Sequence, residues 1–406
     1  MPKVRTDENL INKFLERGVD SIYPSRRELK KKLMSGERIK AYQGFDPSGP
    51  YLHIGHAIGI RALRILQELG HEVIFLVGDF TALVGDPDKD TSRPLMTEEQ
   101  IQKNMSEWKE QAGYLIDFEG SNPVKFMRNS EWLSKIGLAD LIKLMSNATV
   151  QQMLERDLFA NRLKKNNPIG LQEFIYPLMQ GFDSVAMAVD LEIGGTDQTF
   201  NMLMGRELVK RYLGKEKFVR TNEMMEAPDA VTMSKTKGNG INLSDKPEEM
   251  YGKAMSYPDE LIIKGLRLLT DIPTQEIWEI NKKIDAGENP MAFKKLMAYE
   301  IVKIIRGEKE AIKAQEHFER TVQKKDISEE DVETVKITGN VPLVEFLRKA
   351  LNETVSASQI RRIVEQGGVE VNGEKIKDTK IEIEFKAGTL VKFGKRKYFK
   401  VEDEIK

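Results

Sequence analysis

With 406 residues, 31% of them charged, and a formal net charge of -1, the chain has room for two or three domains with cores of their own, and no global field draws in nucleic acid; a polyanion site has to be a local patch. The absence of cysteine excludes disulfides, thiolate zinc sites and cysteine nucleophiles, and suits a reducing cytosol. No apolar run approaches the ~20 residues of a membrane span, and the opening "MPKVRTDENLINKF" has no apolar signal core, so a soluble intracellular protein is expected.

From Ile39 to about Val219, short apolar runs alternate with longer amphipathic stretches, the pattern of a parallel sheet covered by helices. Strands are predicted at Ile39 to Phe45, Val73 to Gly78, Val124 to Met127 and Leu191 to Ile193. The helix after the first strand should bury Ala57, Ile58, Leu63, Ile65, Leu66 and Leu69 and stop at Gly70. Between about Pro94 and Asn167 the pattern turns mostly helical, as though an insertion interrupts the sheet, and after Ser244 it is almost wholly helical to about Lys325. "KKDISEEDVETVKITGN" is polar and short of large apolar residues, and reads as a linker. From Val341 a small module follows, with helices in "PLVEFLRKAL" and "SASQIRRIVEQGG" and strands around "VEVNG", "IEIEF" and "TLVKF". Its 13 Lys or Arg against 8 Asp or Glu between Val341 and Val401 give a local +5, the asymmetry of a nucleic-acid appendage or of ordinary surface scatter.

Two stretches carry chemistry. "YLHIGHAIG" places His53 and His56, half of the chain's four histidines, where a strand gives way to a helix. A helix N-terminus offers unpaired N–H groups and a positive dipole end to an anion, and Gly55 lets a phosphate or planar base approach the backbone. As a bare pattern it is equally a pair of capping histidines on a turn. The chain has no G-x-x-x-x-G-K-[ST] and no convincing G-x-G-x-x-G, so a nucleotide would bind at this turn. "VTMSKTKGNG" sets Ser234, Lys235, Thr236 and Lys237 among small residues, a flexible loop able to carry ammonium and hydroxyl groups onto a polyphosphate; alone, it is any basic surface loop.

Two further stretches shape a pocket. "EFIYPLMQGFDSVAMAV" puts Tyr176, Gln180 and Asp183 at i, i+4 and i+7, a polar stripe on an otherwise apolar helix that points to a polar cavity. In "IGGTDQ", Gly194 and Gly195 follow a strand and suit either the close approach of a ligand or a tight turn with a helix cap.

The HIGH turn followed by an MSK loop resembles the signature pair of the class I aminoacyl-tRNA synthetases. "YQGFDPSGPYLHIGH", "GDFTALVGDP", "EFIYPLMQGFDS" and "EIGGTDQTFN" resemble, in the family's order, the tyrosyl enzymes of bacterial type, and the end module is similar to the S4 type of RNA-binding domain. The resemblance implies an α/β fold: a Rossmann-like catalytic domain over 1–222 with a helical insertion at about 94–167, an α-helical anticodon-side domain with the MSK loop over 223–325, a linker over 326–340, and a small α+β S4-like domain over 341–406. It implies activation of L-tyrosine with ATP to tyrosyl-adenylate, release of pyrophosphate, and transfer of the tyrosyl group to tRNA(Tyr). In that frame Tyr42 and Asp183 would bind the phenolic hydroxyl and Tyr176, Gln180 and Asp86 the ammonium group, with Gln198 near the carboxylate and Thr81 in the same site. Asp46, Gly55, Gly195, Asp197, Ser234 and Lys235 would bind ATP, while His53, His56, Ser48, Lys235 and Thr236 would stabilise the departing pyrophosphate. Mg²⁺ would accompany ATP through its phosphates, with neither zinc nor a protein metal cage. Arg348, Lys349, Arg361 and Arg362 would contact RNA phosphates, and a homodimer would form through the helical insertion.

One departure matters. The family's loop is usually written KMSKS; here Thr232 stands in place of the first lysine and Thr236 in place of the last serine, so a hydroxyl is kept and a cation is lost. That leaves a second reading, an RNA-binding protein of the same fold with weakened or lost amino-acid activation. The tryptophanyl enzyme and nucleotidyltransferases with a HIGH-like turn are rivals, opposed by the set Tyr42, Gln180 and Asp183 and by the RNA module.

Overall fold

The computed structural model describes residues 2–86, 95–228, 240–323, 332–337, 339–353, 355–394 and 397–402, with the backbone alone at 157, 158 and 323. The chain divides into a unit over 1–311 and a unit over 312–406. Among the described residues no helix is long and apolar enough to cross a membrane.

The first unit is built on six strands: β1 Val19–Tyr23, β2 Lys40–Phe45, β3 Glu72–Val77, β4 Lys125–Arg128, β5 Leu191–Gly195 and β6 Phe218–Asn222, in the order β1-β6-β5-β2-β3-β4. Every neighbouring pair is parallel except β1 against β6. Val73 to Val77 of β3 form an unbroken apolar run and are all buried, as a parallel strand between two helix layers has to be. Phe75 anchors that core, its ring stacked 4.5 Å from Phe45 and 5.6 Å from Phe126. Because β2 lies between β5 and β3, the crossovers leave its C-terminal end toward opposite sides, and a crevice opens at this switch point.

The helix Ile54–Glu68 follows β2 and buries Ala57, Ile58, Leu63 and Leu66; Gly70, at φ +86°, ends it in a conformation that side chains resist. The predicted strands correspond to β2 through β5. β1 and β6 lie outside them because "VDSIY" and "FVRTN" show no apolar run: β1 carries a bulge between Val19 and Ser21, and β6 buries Arg220, Thr221 and Asn222. The helices Pro247–Ala254, Ile262–Leu269, Thr274–Asp285 and Met291–Arg306 complete this unit. Arg17 and Arg61 hold the second of these from its C-terminal end, Arg17 Nη1 donating to the Ile272 carbonyl at 2.7 Å and Arg61 Nη2 to that of Thr270 at 2.8 Å, where cations complement the helix dipole.

The second unit contains β7 Val332–Lys336, β8 Gly339–Pro342, β9 Val369–Val371, β10 Glu374–Ile376, β11 Glu382–Phe385, β12 Leu390–Phe393 and β13 Lys397–Glu402. They form a sheet β10-β9-β12-β13-β7 and a pair β11-β8, packed with the helices Leu343–Ala350 and Ala357–Glu365 around Phe346 and Phe385, whose rings stack at 4.2 Å. Asn372 and Gly373, at φ 49° and 87°, make the two-residue turn between β9 and β10 that an Asn-Gly pair favours. β7 and part of β8 fall in the stretch that composition marks as a linker. β7 buries only Val335; its pairing comes from β13, and that of β8 from β11, partners far along the chain that local composition does not reveal.

Candidate active site

A cavity of about 510 Å³ opens at the C-terminal ends of β2 and β5. Tyr42, Asp46, Ser48, His53, Gly55, His56, Thr81, Asp86, Tyr176, Gln180, Asp183, Gly195, Asp197 and Gln198 all line it. Ser234, Lys235 and Thr236, with Thr232 and Lys237, lie outside the described residues.

The histidine turn forms one end. His53, in extended backbone, is the N-cap of the helix Ile54–Glu68, and its N–H donates to His56 Nδ1 at 3.0 Å while the two rings lie 3.8 Å apart. With Nδ1 accepting, a neutral His56 carries its proton on Nε2, as a donor. The Ile54 N–H is taken by the Ile241 carbonyl at 2.9 Å and Leu243 donates to the Leu52 carbonyl at 2.8 Å, so residues 241–243 are strapped along the turn. Part of the helix N-terminus expected to be open to an anion is thus occupied by backbone, and Gly55 remains in the cavity lining.

The other end collects acceptors. Asp183 is 2% exposed, and its two oxygens accept from Trp132 Nε1 at 2.7 Å and Asn129 Nδ2 at 3.2 Å. Burial drives the Asp183 carboxyl well above the usual carboxylate range, against the pull of those donors. Tyr42 reaches Ser184 Oγ at 2.8 Å, and burial pushes its phenol further from ionisation, with Glu192 adding to the rise. Tyr176 donates to Asp46 Oδ2 at 2.8 Å and Thr81 to Asp46 Oδ1 at 2.8 Å. That junction needs Gly78, since a Cβ there would stand 2.1 Å from Asp46 Oδ1.

Tyr176, Gln180 and Asp86, expected around one ammonium group, share the cavity but hold different partners. Tyr176 turns to Asp46, Asp86 pairs with Arg156 at 2.9 Å and accepts from Gln198 at 2.6 Å, and Gln180 donates to Glu192 at 3.2 Å. Asp197 also accepts from Gln198, at 3.0 Å. The cavity is therefore two-ended: carboxylates and phenols suit an ammonium group and a hydroxyl donor, and the histidine turn suits an anion.

Asn129, Trp132, Arg156, Ser184, Glu192 and Lys217 support these contacts without standing out in sequence. Ser184 and Glu192 lie within the quoted stretches, directly after Asp183 and directly before "IGG", but neither was singled out; the others reach the site only through the fold. In the second unit, Arg348 and Lys349 are exposed on the helix Leu343–Ala350, and Arg361 and Arg362 on Ala357–Glu365. Arg348 lies 3.5 Å from Glu353, and Lys349 donates to the Lys336 carbonyl at 2.9 Å.

A doubly wound sheet with a polar crevice at its switch point and histidines at the N-terminus of the helix Ile54–Glu68 define an α/β protein of the nucleotide-binding class. The chain belongs to the family described as tRNA synthetases class I (W and Y), whose profile matches residues 34–323, and an S4 domain profile matches residues 341–387. It is 43% identical over 392 residues to the tyrosine-tRNA ligase of Thermotoga maritima, covering 96% of each chain, and 42% identical over 390 residues to that of Haemophilus ducreyi, covering 95% of this chain and 96% of the other. Among solved structures, a C-terminally truncated mitochondrial tyrosyl-tRNA synthetase from Aspergillus nidulans matches with a TM-score of 0.64 at 22% identity, covering 77% of this chain and 93% of that one. The tyrosyl-tRNA synthetase of Archaeoglobus fulgidus, complexed with L-tyrosine, matches at 0.59 with 23% identity, covering 76% and 100%. At these identities the structural matches speak for the fold.

Proposed function

We propose that this protein is a tyrosine-tRNA ligase: it activates L-tyrosine with ATP and passes the tyrosyl group to tRNA(Tyr). The observation that carries this reading is the convergence on one cavity of a buried acceptor for a phenol, Asp183, and a histidine turn for a polyphosphate. In the first step the tyrosine carboxylate attacks the α-phosphorus of ATP in line, forming the mixed anhydride and expelling pyrophosphate. A carboxylate is ionised at neutral pH, so the step needs no general base. Its catalysis comes from positioning and from donors that tighten on the leaving group: His53, His56 and Ser48, joined by Lys235 and Thr236 of the loop. In the second step a terminal ribose hydroxyl of the tRNA attacks the carbonyl and AMP departs.

Asp183 gives tyrosine its advantage over phenylalanine, because a buried acceptor left unpaired is costly. Tyr42 completes the phenol end. Gln180, Tyr176 and Asp86 with Thr81 and Gln198 surround the amino-acid head; Asp46, Gly55, Gly195, Asp197 and Ser234 receive the nucleotide. Mg²⁺ enters on the ATP phosphates, in keeping with cavity carboxylates already engaged: Asp46 by Tyr176 and Thr81, and Asp86 by Arg156. Arg348, Lys349, Arg361 and Arg362 bind RNA phosphates. Exposed Leu138, Ile142 and Val150 on the insertion helices support a homodimer, and a cytoplasmic location belongs to the same reading.

Exchange of labelled pyrophosphate into ATP, measured with each of the twenty amino acids, tests the proposal. Exchange is expected with tyrosine. Exchange driven by tryptophan instead, or RNA binding without any exchange, would overturn it.

A further inference from the structure

Behind the phenol end of the cavity lies a buried polar cluster for which the reaction has no direct use. Lys217 and Ser184 are 0% exposed and Glu192 is 2% exposed. Lys217 Nζ forms an ion pair with Glu192 Oε2 and donates to Ser184 Oγ at 2.8 Å. Glu192 Oε1 accepts from Gln180 Nε2 at 3.2 Å, and Ser184 Oγ lies 2.8 Å from the Tyr42 hydroxyl. Two side chains of the cavity wall, Tyr42 and Gln180, are thus tied to a single ion pair. Room for it depends on Gly205, where a Cβ would stand 2.6 Å from Lys217 Nζ and 3.1 Å from Ser184 Oγ.

Stability does not account for the cluster. Taking an ammonium and a carboxylate out of water costs about as much as their attraction returns, and apolar groups of similar volume often serve a core as well or better. Burial pulls the Lys217 ammonium below the ordinary lysine range, with Glu192 opposing the fall. A proton inventory gives the cluster another role. Ser184 Oγ has one proton and two lone pairs, and Lys217 occupies one of those lone pairs. Ser184 also lies 3.4 Å from Glu192 Oε2, and either hydroxyl of the Ser184–Tyr42 pair serves as donor, so the cluster fixes where the Tyr42 oxygen sits at the cavity end that Asp183 lines.

We propose that Lys217, Glu192 and Ser184 form a positioning array that fixes the Tyr42 hydroxyl and holds Gln180 in place. Selection for a ligand with a hydrogen-bond donor on its ring then depends on Lys217 and Ser184, which lie outside the cavity lining, and on Glu192 in its wall. The inference rests on tyrosine being the amino acid activated, and the native protein tests that separately: without tyrosine-dependent exchange, the functional reading itself fails.

Given exchange, Ser184→Ala is expected to raise KM for tyrosine about tenfold, to leave kcat and KM for ATP within about twofold, and to lower the preference for tyrosine over phenylalanine about tenfold. Lys217→Met combined with Glu192→Leu replaces the pair by apolar groups of similar bulk. It is expected to match or exceed the native thermal midpoint and to show the same loss of preference. A tyrosine-to-phenylalanine ratio unchanged from native, in either variant that folds, overturns the array whatever happens to the overall rate. The native protein supplies a further arm: 4-aminophenylalanine, which carries N–H donors on its ring, is expected to have a KM nearer that of tyrosine than that of phenylalanine. A KM no better than phenylalanine's overturns selection by a ring donor at this end of the cavity.

Discussion

Asp183 receives both of its hydrogen bonds from the segment after β4, Asn129 and Trp132, rather than from its own helix. Trp132→Phe keeps the ring and removes the donor. Losing a hydrogen bond to a buried acid costs about 1.5–3 kcal/mol, so KM for tyrosine in the exchange reaction is expected to rise about ten- to a hundredfold with KM for ATP unchanged. An unaltered tyrosine KM would show that Asp183 does not need this donor. His71 offers a test of stability. It is 0% exposed, and burial, with Arg38 adding to the effect, lowers its imidazole from 6.5 to about 4. The unfolded chain therefore takes up a proton near pH 6.5 while the folded chain resists until about pH 4; stability is whole above that window and falls as pH drops through it, by about 3 kcal/mol. Denaturant unfolding between these limits should lose less stability in His71→Gln than in the native chain; parallel slopes would contradict the assignment. At this scale the stripe of Tyr176, Gln180 and Asp183 was legible because one helix carries all three at helical spacing. Arg156, Trp132 and Lys217 were not, because other elements deliver them and no local pattern records that meeting.

The helices Tyr176–Ala186 and Thr199–Leu213 cross at two glycines. A Cβ at Gly181 would lie 2.8 Å from Leu208 Cδ1 and 3.1 Å from the Gly205 backbone nitrogen. Gly181→Ala is expected to cost about 1–3 kcal/mol in denaturant unfolding through overpacking. Tyr176, Gln180 and Asp183 ride on the displaced helix, so KM for tyrosine should rise with it; unchanged stability would mean that the pair separates without cost. Element by element, β3 and the helix Ile54–Glu68 could be read from apolar runs and spacing. β6 could not, because it buries Arg220 and Asn222 where an apolar strand pattern would be sought; Arg220 is satisfied by the carbonyls of Phe14 and Arg17, more than 200 residues away in sequence.

Two compact units invite separation of the two half-reactions. Since β7 and β8 belong to the second unit, the informative cut falls after Gln323 rather than after Asn340. The shortened chain is expected to exchange pyrophosphate within about twofold of the full chain while charging tRNA at least about tenfold less well, and charging by the full chain should weaken steeply with added salt. Equal charging by both would remove the RNA role of the second unit. The two substrates are expected to meet in the cavity at the C-terminal ends of β2 and β5. A crystal structure of the protein with a non-hydrolysable tyrosyl-adenylate analogue decides this: the phenol is expected between Tyr42 and Asp183 and the adenosine against Gly55 and Gly195, whereas an analogue seated away from the histidine turn would overturn the reading.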